Sequence, residues 1–176
     1  MRFRLSVWVV ATALLVWVGL ILVSPLAVPA GSLQDLDGTV GVMDHASVYG
    51  SLPAPFRGVY VVGDRLCHQR EDRSFVVGSN EMAFCARCTG VWIGMLLGVV
   101  VMALVEFPVD SRLVWVVVAG LVPMMVDGGG QFLGWWVSSN PVRLVTGLFA
   151  GGIGGVAIGL IIIELGGMVK RKTISG

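Results

Sequence analysis

Four long apolar runs divide this chain, and they restrict its possible folds more than any other feature. They cover residues 5–23, 89–105, 113–126 and 144–163. With 56% hydrophobic and 13% charged residues among 176, the chain is too apolar for a soluble domain of this length. We predict an all-α membrane protein, one domain over residues 1–176, with transmembrane helices at about 5–26, 89–106, 113–136 and 144–164.

The first run is long enough to cross a membrane. Residues 5–23 would form a helix of about 28 Å, close to a hydrocarbon thickness of about 30 Å. A secretory signal peptide is the alternative, because two arginines precede the run and Val28-Pro29-Ala30 resembles the approach to a cleavage site. Signal-peptide cores are usually shorter, about 7–15 residues, so we expect a retained helix.

The third run is too short to span the membrane unaided. Residues 113–126 would give a helix of only about 21 Å. The helix must therefore continue past Asp127 and Gln131 toward Trp135 and Trp136, which are typical interfacial anchors. We expect Asp127 and Gln131 at membrane depth, in a stretch that is either irregular or weakened by its glycines. Irregular backbone at that depth is tolerated only where it is buried in protein or lines a wet cavity.

Glycines recur at four-residue spacing in the second and fourth runs. A flat glycine face lets two membrane helices approach backbone to backbone, so we expect these two helices to pack together. The glycines in question are Gly90, Gly94 and Gly98 in the second run and Gly147, Gly151, Gly155 and Gly159 in the fourth.

Residues 29–88 form a polar segment with several acidic residues, arginines, glycines and prolines. From Pro55 to Cys67 the apolar residues recur with helical spacing, which predicts an amphipathic helix lying along the membrane interface. Residues 74–77 favour a short strand, and residues 78–80 favour a turn. A net charge of +1 argues against nucleic acid as a partner.

A window of 22 residues within this segment, residues 67–88, contains all three cysteines and one of the two histidines. Cys67, His68, Cys85 and Cys88 together supply three thiols and an imidazole, a recognised set of zinc ligands. The spacing resembles paired Cys-x2-Cys zinc sites, with Cys67-His68 in place of the first pair. Neighbours on a helix point about 100° apart, so both residues can bind one ion only where the helix ends. We predict a small Cys/His zinc knuckle.

Two other interpretations of the cysteines remain open. Cys85 and Cys88 can form a redox-active disulfide pair with Cys67 as the resolving thiol, and no metal is then required. Alternatively, the cysteines are buried and inert. Covalent haem attachment is excluded, because no histidine follows Cys88 directly.

The distribution of positive charge predicts the orientation in the cell membrane. Basic residues in short segments beside helix ends lie on the cytoplasmic side. We expect both termini to be cytoplasmic and the Cys/His site to lie on the extracytoplasmic face. The residues behind this expectation are Arg2, Arg4, Arg112, Lys170, Arg171 and Lys172.

With four crossings, the Cys/His segment and the connection between the third and fourth helices share one face. We therefore expect Asp127, Gln131, Asn140 and Arg143 to complete a catalytic site beside the cysteines. Arg143 is the expected partner of Asp127, with Gln131 and Asn140 giving directional hydrogen bonds. The simpler alternatives are a solvated Asp127 and an Arg143 that reaches lipid phosphate. His45 is interpreted as an ordinary loop residue.

Five linked motifs resemble a family of small prokaryotic membrane proteins known only as a domain of unknown function. The motifs span about residues 65–150, and the resemblance implies a shared polar site but no known activity. They are Cys67-His68-Gln69, Arg73-Ser74-Phe75, Cys85-Ala86-Arg87-Cys88-Thr89-Gly90, Asp127-Gly128 with Gln131, and Asn140 with Arg143, Thr146 and Gly147.

The leading hypothesis is a membrane protein with a zinc site beside a polar pocket that acts on a lipid headgroup or a phosphorylated isoprenoid. The arginines near this interface suit such an anion. They are Arg65, Arg70, Arg73, Arg87 and Arg143. A membrane thiol–disulfide oxidoreductase is the second hypothesis, and a non-catalytic accessory subunit of a membrane complex is the third.

Overall fold

The computed structural model of the chain describes residues 2–105 and 111–174, without the side chains of residues 2–4, 111–114 and 166–174. The charged side chains of Arg2, Arg4, Arg112 and residues 170–172, which carry the orientation prediction, lie outside the described side chains.

Six helices and one hairpin make up the described chain. A 3₁₀ turn, Ser24–Leu26, follows the first helix, and a second one, Glu71–Arg73, precedes the hairpin. In chain order the elements are α1 Arg2–Val23, α2 Ala46–Gly50, α3 Phe56–Leu66, β1 Ser74–Val77, β2 Asn80–Cys85, α4 Ala86–Leu104, α5 Ser111–Phe132 and α6 Asn140–Ile174.

Four helices are long and apolar enough to cross a membrane, which confirms the predicted all-α membrane fold. They provide the spans Leu5–Leu26, Ala86–Leu104, Trp115–Phe132 and Asn140–Leu165. The second and fourth spans begin earlier in the chain than predicted, because the helix starts directly after β2 and directly at Asn140.

The glycine faces of α4 and α6 pack against each other, as predicted. A Cβ on Gly90 would clash with the carbonyl oxygen of Leu144, and one on Gly98 would clash with that of Gly152. The contacts advance in the same direction along both helices, so α4 and α6 run parallel. Both helices therefore begin at the same end of the bundle.

The third span differs from its prediction at its end. α5 stays helical through Gly128–Gly130 and stops at Phe132, short of the two tryptophans. The amide of Gly134 donates to Gln131 O, the amide of Trp135 donates to Gly130 O, and Gly134 has φ +74°, which together form a Schellman cap. A regular helix satisfies its own backbone hydrogen bonds, which apolar surroundings demand. Of the two alternatives, the irregular backbone therefore does not form, and the glycine-containing stretch is helical.

Residues 24–85 form a polar cap over the end of the bundle at which α4 and α6 begin. The predicted amphipathic helix is α3, whose buried face includes Val59 and Tyr60, and the predicted strand is β1. β1 pairs antiparallel with β2, and Val77 faces Asn80 across a two-residue turn. Gly78 and Ser79 both have positive φ, as tight hairpin turns require.

A hydrophobic core joins the cap to the bundle. Trp17 of α1, Phe84 of β2 and Trp92 of α4 meet edge to face, with ring centroids 5.7–6.3 Å apart. Such aromatic contacts add to the energy of burial and fix the mutual angle of the elements. The cap is thereby held directly over the beginning of α4.

Candidate functional site

Three elements bring the cysteine sulfurs together. Cys67 follows α3 in an extended conformation, Cys85 ends β2, and Cys88 lies in the first turn of α4. Their Sγ atoms all lie within 4.8 Å of one another. The end of α3 at Leu66 turns Cys67 out of the helix and toward the hairpin.

The sulfur group is buried and hydrogen-bonded. Cys67 and Cys85 are 2% and 4% exposed, and Cys88 is partly buried. The backbone N–H of Cys85 donates to Cys67 Sγ at 3.3 Å. Hydrogen bonding from Cys67 lowers the pKa of the Cys85 thiol, while the same contact raises the pKa of Cys67. One of these two sulfurs therefore carries negative charge more readily than the other, as in metal-binding and redox-active cysteines.

His68 does not join the sulfur group. The group that the described residues form contains the cysteines alone. The Nδ1 atom of His68 accepts the backbone N–H of Arg70 at 3.3 Å, which leaves the proton of a neutral ring on Nε2. Ligation through His68 therefore requires a different tautomer or ring position, and its predicted role stays a prediction.

Gln69 holds the Cys67 loop in place, a role that the sequence interpretation missed. It is fully buried and has a positive φ of 42°. Its Nε2 donates to Ala83 O at 2.9 Å, and its Oε1 accepts the hydroxyl of Tyr49 at 3.1 Å. Gln69 therefore anchors the loop to β2, two residues from Cys85. Its position in the motif Cys67-His68-Gln69 was the one sequence feature that could have indicated this role.

Asp127 meets the cysteine segment through Arg87. The Arg87 guanidinium, between Cys85 and Cys88 in sequence, donates to Asp127 Oδ2. The side chain of Asp127 is only 7% exposed, and Gln131 Nε2 donates to the same oxygen at 3.0 Å. The two distant stretches therefore lie at the same end of the bundle.

The predicted pairing of Asp127 with Arg143 is wrong. Arg143 instead donates to Asn140 Oδ1 at 2.9 Å and to Gln131 Oε1 at 3.1 Å. Arg87, in the first turn of α4, donates to the Asp127 carboxylate in its place. Gln131 bridges the two arginines, since its amide nitrogen bonds Asp127 and its oxygen accepts from Arg143.

Asn140 and Arg143 also fasten α6 to the hairpin. Asn140 Nδ2 donates to Ser74 O at 3.0 Å, and Arg143 Nη1 donates to Asp72 O at 3.2 Å. A continuous hydrogen-bonded network therefore runs from the first turn of α4 through α5 and α6 to β1. All four residues predicted for the catalytic site belong to it.

A second polar cluster lies in the cap, apart from the cysteines. His45 Nδ1 lies 3.3 Å from Oδ1 of Asp64, a fully buried carboxylate that also accepts the backbone N–H of His45. The imidazole borders a cavity of about 480 Å³ with Asp37, Asp44 and Arg70. No sequence pattern predicted this pair, because Asp64 lies 19 residues after His45 on the buried face of α3.

The fold and the site define a class: a multi-pass membrane protein with four apolar helices and a buried three-cysteine cluster at one end. Residues 67–161 match the family model described as "Predicted membrane protein (DUF2085)". The chain belongs to this family, as the resemblance in sequence had indicated.

Two archaeal relatives are similar to about half of the chain. The uncharacterized protein MJ1492 of Methanocaldococcus jannaschii is 37% identical over 97 residues, 53% of this chain and 61% of its own length. An uncharacterized protein of Methanothermobacter thermautotrophicus is 29% identical over 86 residues, 49% of this chain and 78% of the relative. The chain thus spans less than two thirds of the first relative. No solved structure matches the chain.

Proposed function

We propose that Cys67, Cys85 and Cys88 bind one zinc ion, and that the polar network beside it forms a site for a lipid headgroup or a phosphorylated isoprenoid. The three sulfurs within 4.8 Å of one another carry this proposal. Zinc holds thiolate sulfur at about 2.3 Å, so sulfurs this close are near enough to share one ion. Three thiolates favour zinc over the harder ions that prefer oxygen.

The zinc ion would supply a cross-link between three elements. Cys67, Cys85 and Cys88 belong to the ends of α3, β2 and α4, so one ion would fix the cap on the beginning of α4. The fourth ligand would be His68 in another tautomer or a molecule from outside the chain. Three protein ligands with an open position are typical of catalytic zinc, and four are typical of structural zinc.

Asp127, Gln131, Asn140 and Arg143 form the proposed reaction site. Asp127 would carry out acid–base chemistry. Because it accepts hydrogen bonds from Arg87 and Gln131, it also positions the Arg87 guanidinium. Arg143 is the proposed anion ligand, and Asn140 orients it. Fixed donors and charges at such a site bind a polar group of a lipid while its chain remains in the membrane.

Metal analysis of the full-length protein in detergent tests the zinc proposal. We expect about one zinc per chain, with all three thiols becoming reactive to an alkylating reagent after the metal is chelated. C67S, C85S and C88S should each lose most of the zinc. H45A is the matched control, because His45 lies in the separate cap cluster with Asp64, so its loss should leave zinc unchanged. Full zinc in H68A would assign the fourth position to a group other than His68.

A thiol–disulfide oxidoreductase is the second candidate, because sulfurs this close can also form a disulfide. Cys85 and Cys88 form a Cys-x-x-Cys pair at a helix N-terminus, where thiolates are stabilised. Metal-free protein with a reducible Cys85–Cys88 disulfide would refute zinc binding and favour this candidate. Its location on an extracytoplasmic face would agree with an oxidising compartment.

An accessory subunit of a membrane complex is the third candidate, and the structure removes its main support. The glycine faces that would suit a partner helix are used within the chain, where Gly151 and Gly155 contact the backbone of α4.

A further inference from the structure

Arg143 is a buried cation without a carboxylate partner. It is 3% exposed, and its hydrogen bonds go to neutral oxygens of Asn140, Gln131 and Asp72. Within the described part of the chain no carboxylate oxygen lies within 4.0 Å of its guanidinium. An unpaired buried charge is strongly unfavourable, so such an arginine calls for an anion.

The neighbouring charges do not supply that anion. Four charged side chains lie close enough to interact electrostatically with Arg143, namely Arg73, Arg87, Asp72 and Asp127. Together with Arg143 they form a group of three cations and two carboxylates. Asp127 is bound by Arg87. Asp72 lies nearest to Arg70, at 2.9 Å, and is 3.6 Å from Arg73 Nε, too long for a hydrogen bond. The group therefore carries an excess of positive charge.

Unused donors point to the same conclusion. Among the described residues, the Nε atoms of Arg73, Arg87 and Arg143 are all buried without a hydrogen-bond partner. Buried donors are nearly always bonded, so three orphaned guanidinium N–H groups in one cluster indicate a missing acceptor. The parallel helices α4 and α6 also begin here, and the positive ends of their dipoles favour an anion.

We propose that Arg73 and Arg143 bind one phosphate group at the beginning of α6. Guanidinium groups match phosphate oxygens in charge and in planar geometry, and phosphate offers enough acceptors for several donors at once. The inference deepens the proposed function, on which it rests, by naming the chemical group that the polar network recognises. Membrane phospholipid and free phosphate share this group, and their effects on the protein separate them.

Ligand-induced thermal stabilisation of the full chain in detergent tests the phosphate site. The probes are short-chain phosphatidic acid and inorganic phosphate, with short-chain phosphatidylcholine for comparison. We expect phosphatidic acid to raise the midpoint of unfolding of the unmodified protein in a concentration-dependent way. R143Q and R73Q should each weaken binding by about tenfold or more, as loss of a charge-assisted contact does. A response to phosphate alone would assign the site to the free ion.

The variants carry their own controls. R65Q removes an exposed arginine of α3 that takes no part in the network, and it should bind phosphatidic acid like the unmodified protein. R143Q also removes the hydrogen bond from Arg143 to the backbone carbonyl of Asp72, so this variant can fail to fold. R73Q leaves that hydrogen bond in place and tests the phosphate site independently. Absence of stabilisation by either probe, or an unchanged response in R73Q and R143Q, would overturn the inference. Zinc content is measured on the same samples. Zinc-free protein that still binds phosphatidic acid would refute the proposed zinc site and leave the phosphate site supported.

Discussion

At the scale of single residues, the cap contains one buried acid that opposes folding at neutral pH. Glu81 is 2% exposed, and burial raises its pKa above the ordinary range. Its Oε1 accepts the backbone N–H of Asp35 at 2.7 Å, while Oε2 has no hydrogen-bond partner in the part of the chain that the structure describes. Because the folded pKa is the higher one, the stabilising contribution of Glu81 exists at low pH and is lost as pH rises through that pKa.

The E81Q variant should therefore be more stable than the unmodified protein at neutral pH, by roughly 1 kcal/mol from removing an unsatisfied buried charge. The advantage should shrink as pH falls and vanish below the unfolded-state pKa of about 4.3. Thermal unfolding monitored with a thiol-reactive dye across this pH range measures it. A gap that does not change with pH would show that the charge of Glu81 is not responsible.

Residue types and spacing predicted which side chains lie at the site, but they did not predict which of these side chains form hydrogen bonds with each other. Arg87 was assigned only to a group of five arginines near the membrane interface. Its hydrogen bond with Asp127 depends on how α4 and α5 are placed in the folded bundle. Gln69 is similar, because its buried left-handed position follows from the cap fold around Ala83. Pairings between distant segments are set by tertiary packing, which one sequence does not display.

At the scale of elements, apolar run length and glycine spacing predicted the four spans and the contact between α4 and α6. β2 was missed because all six of its residues are buried, so it lacks the alternation that marks a half-exposed strand. The glycines after Asp127 predicted a backbone that is either irregular or weakened. α5 remains helical there, since apolar surroundings penalise unpaired backbone groups more than glycine weakens a helix.

The α4–α6 contact predicts opposite outcomes for two glycines of the same helix. A Cβ on Gly151 would clash with the carbonyl oxygen of Val91, whereas one on Gly154 would meet no atom of the described residues within 4 Å. G151A should destabilise the protein by about 1–3 kcal/mol, as overpacking does. G154A should be neutral or slightly stabilising, since alanine favours helices. Unfolding in detergent compares them, and equal midpoints would contradict close packing on this face.

At the scale of the whole molecule, one end of the bundle holds both the cysteine centre and the polar network. Parallel α4 and α6 present their beginnings to the cap, and α5 ends beside them. Arg87 links the two halves, since it lies between two cysteines in sequence and contacts Asp127 in space. The extracytoplasmic location of this end remains a prediction, which accessibility of the thiols from each side of sealed vesicles would test.

A double-mutant cycle on Arg87 and Asp127 tests the central claim that these distant stretches form one site. We predict that R87Q and D127N each destabilise the protein, and that the double variant loses less than the sum, with a coupling of at least about 1 kcal/mol. D127N combined with R65Q is the control and should be additive. Additive losses for R87Q and D127N would show that the cysteine segment and α5 do not meet, and would contradict the account.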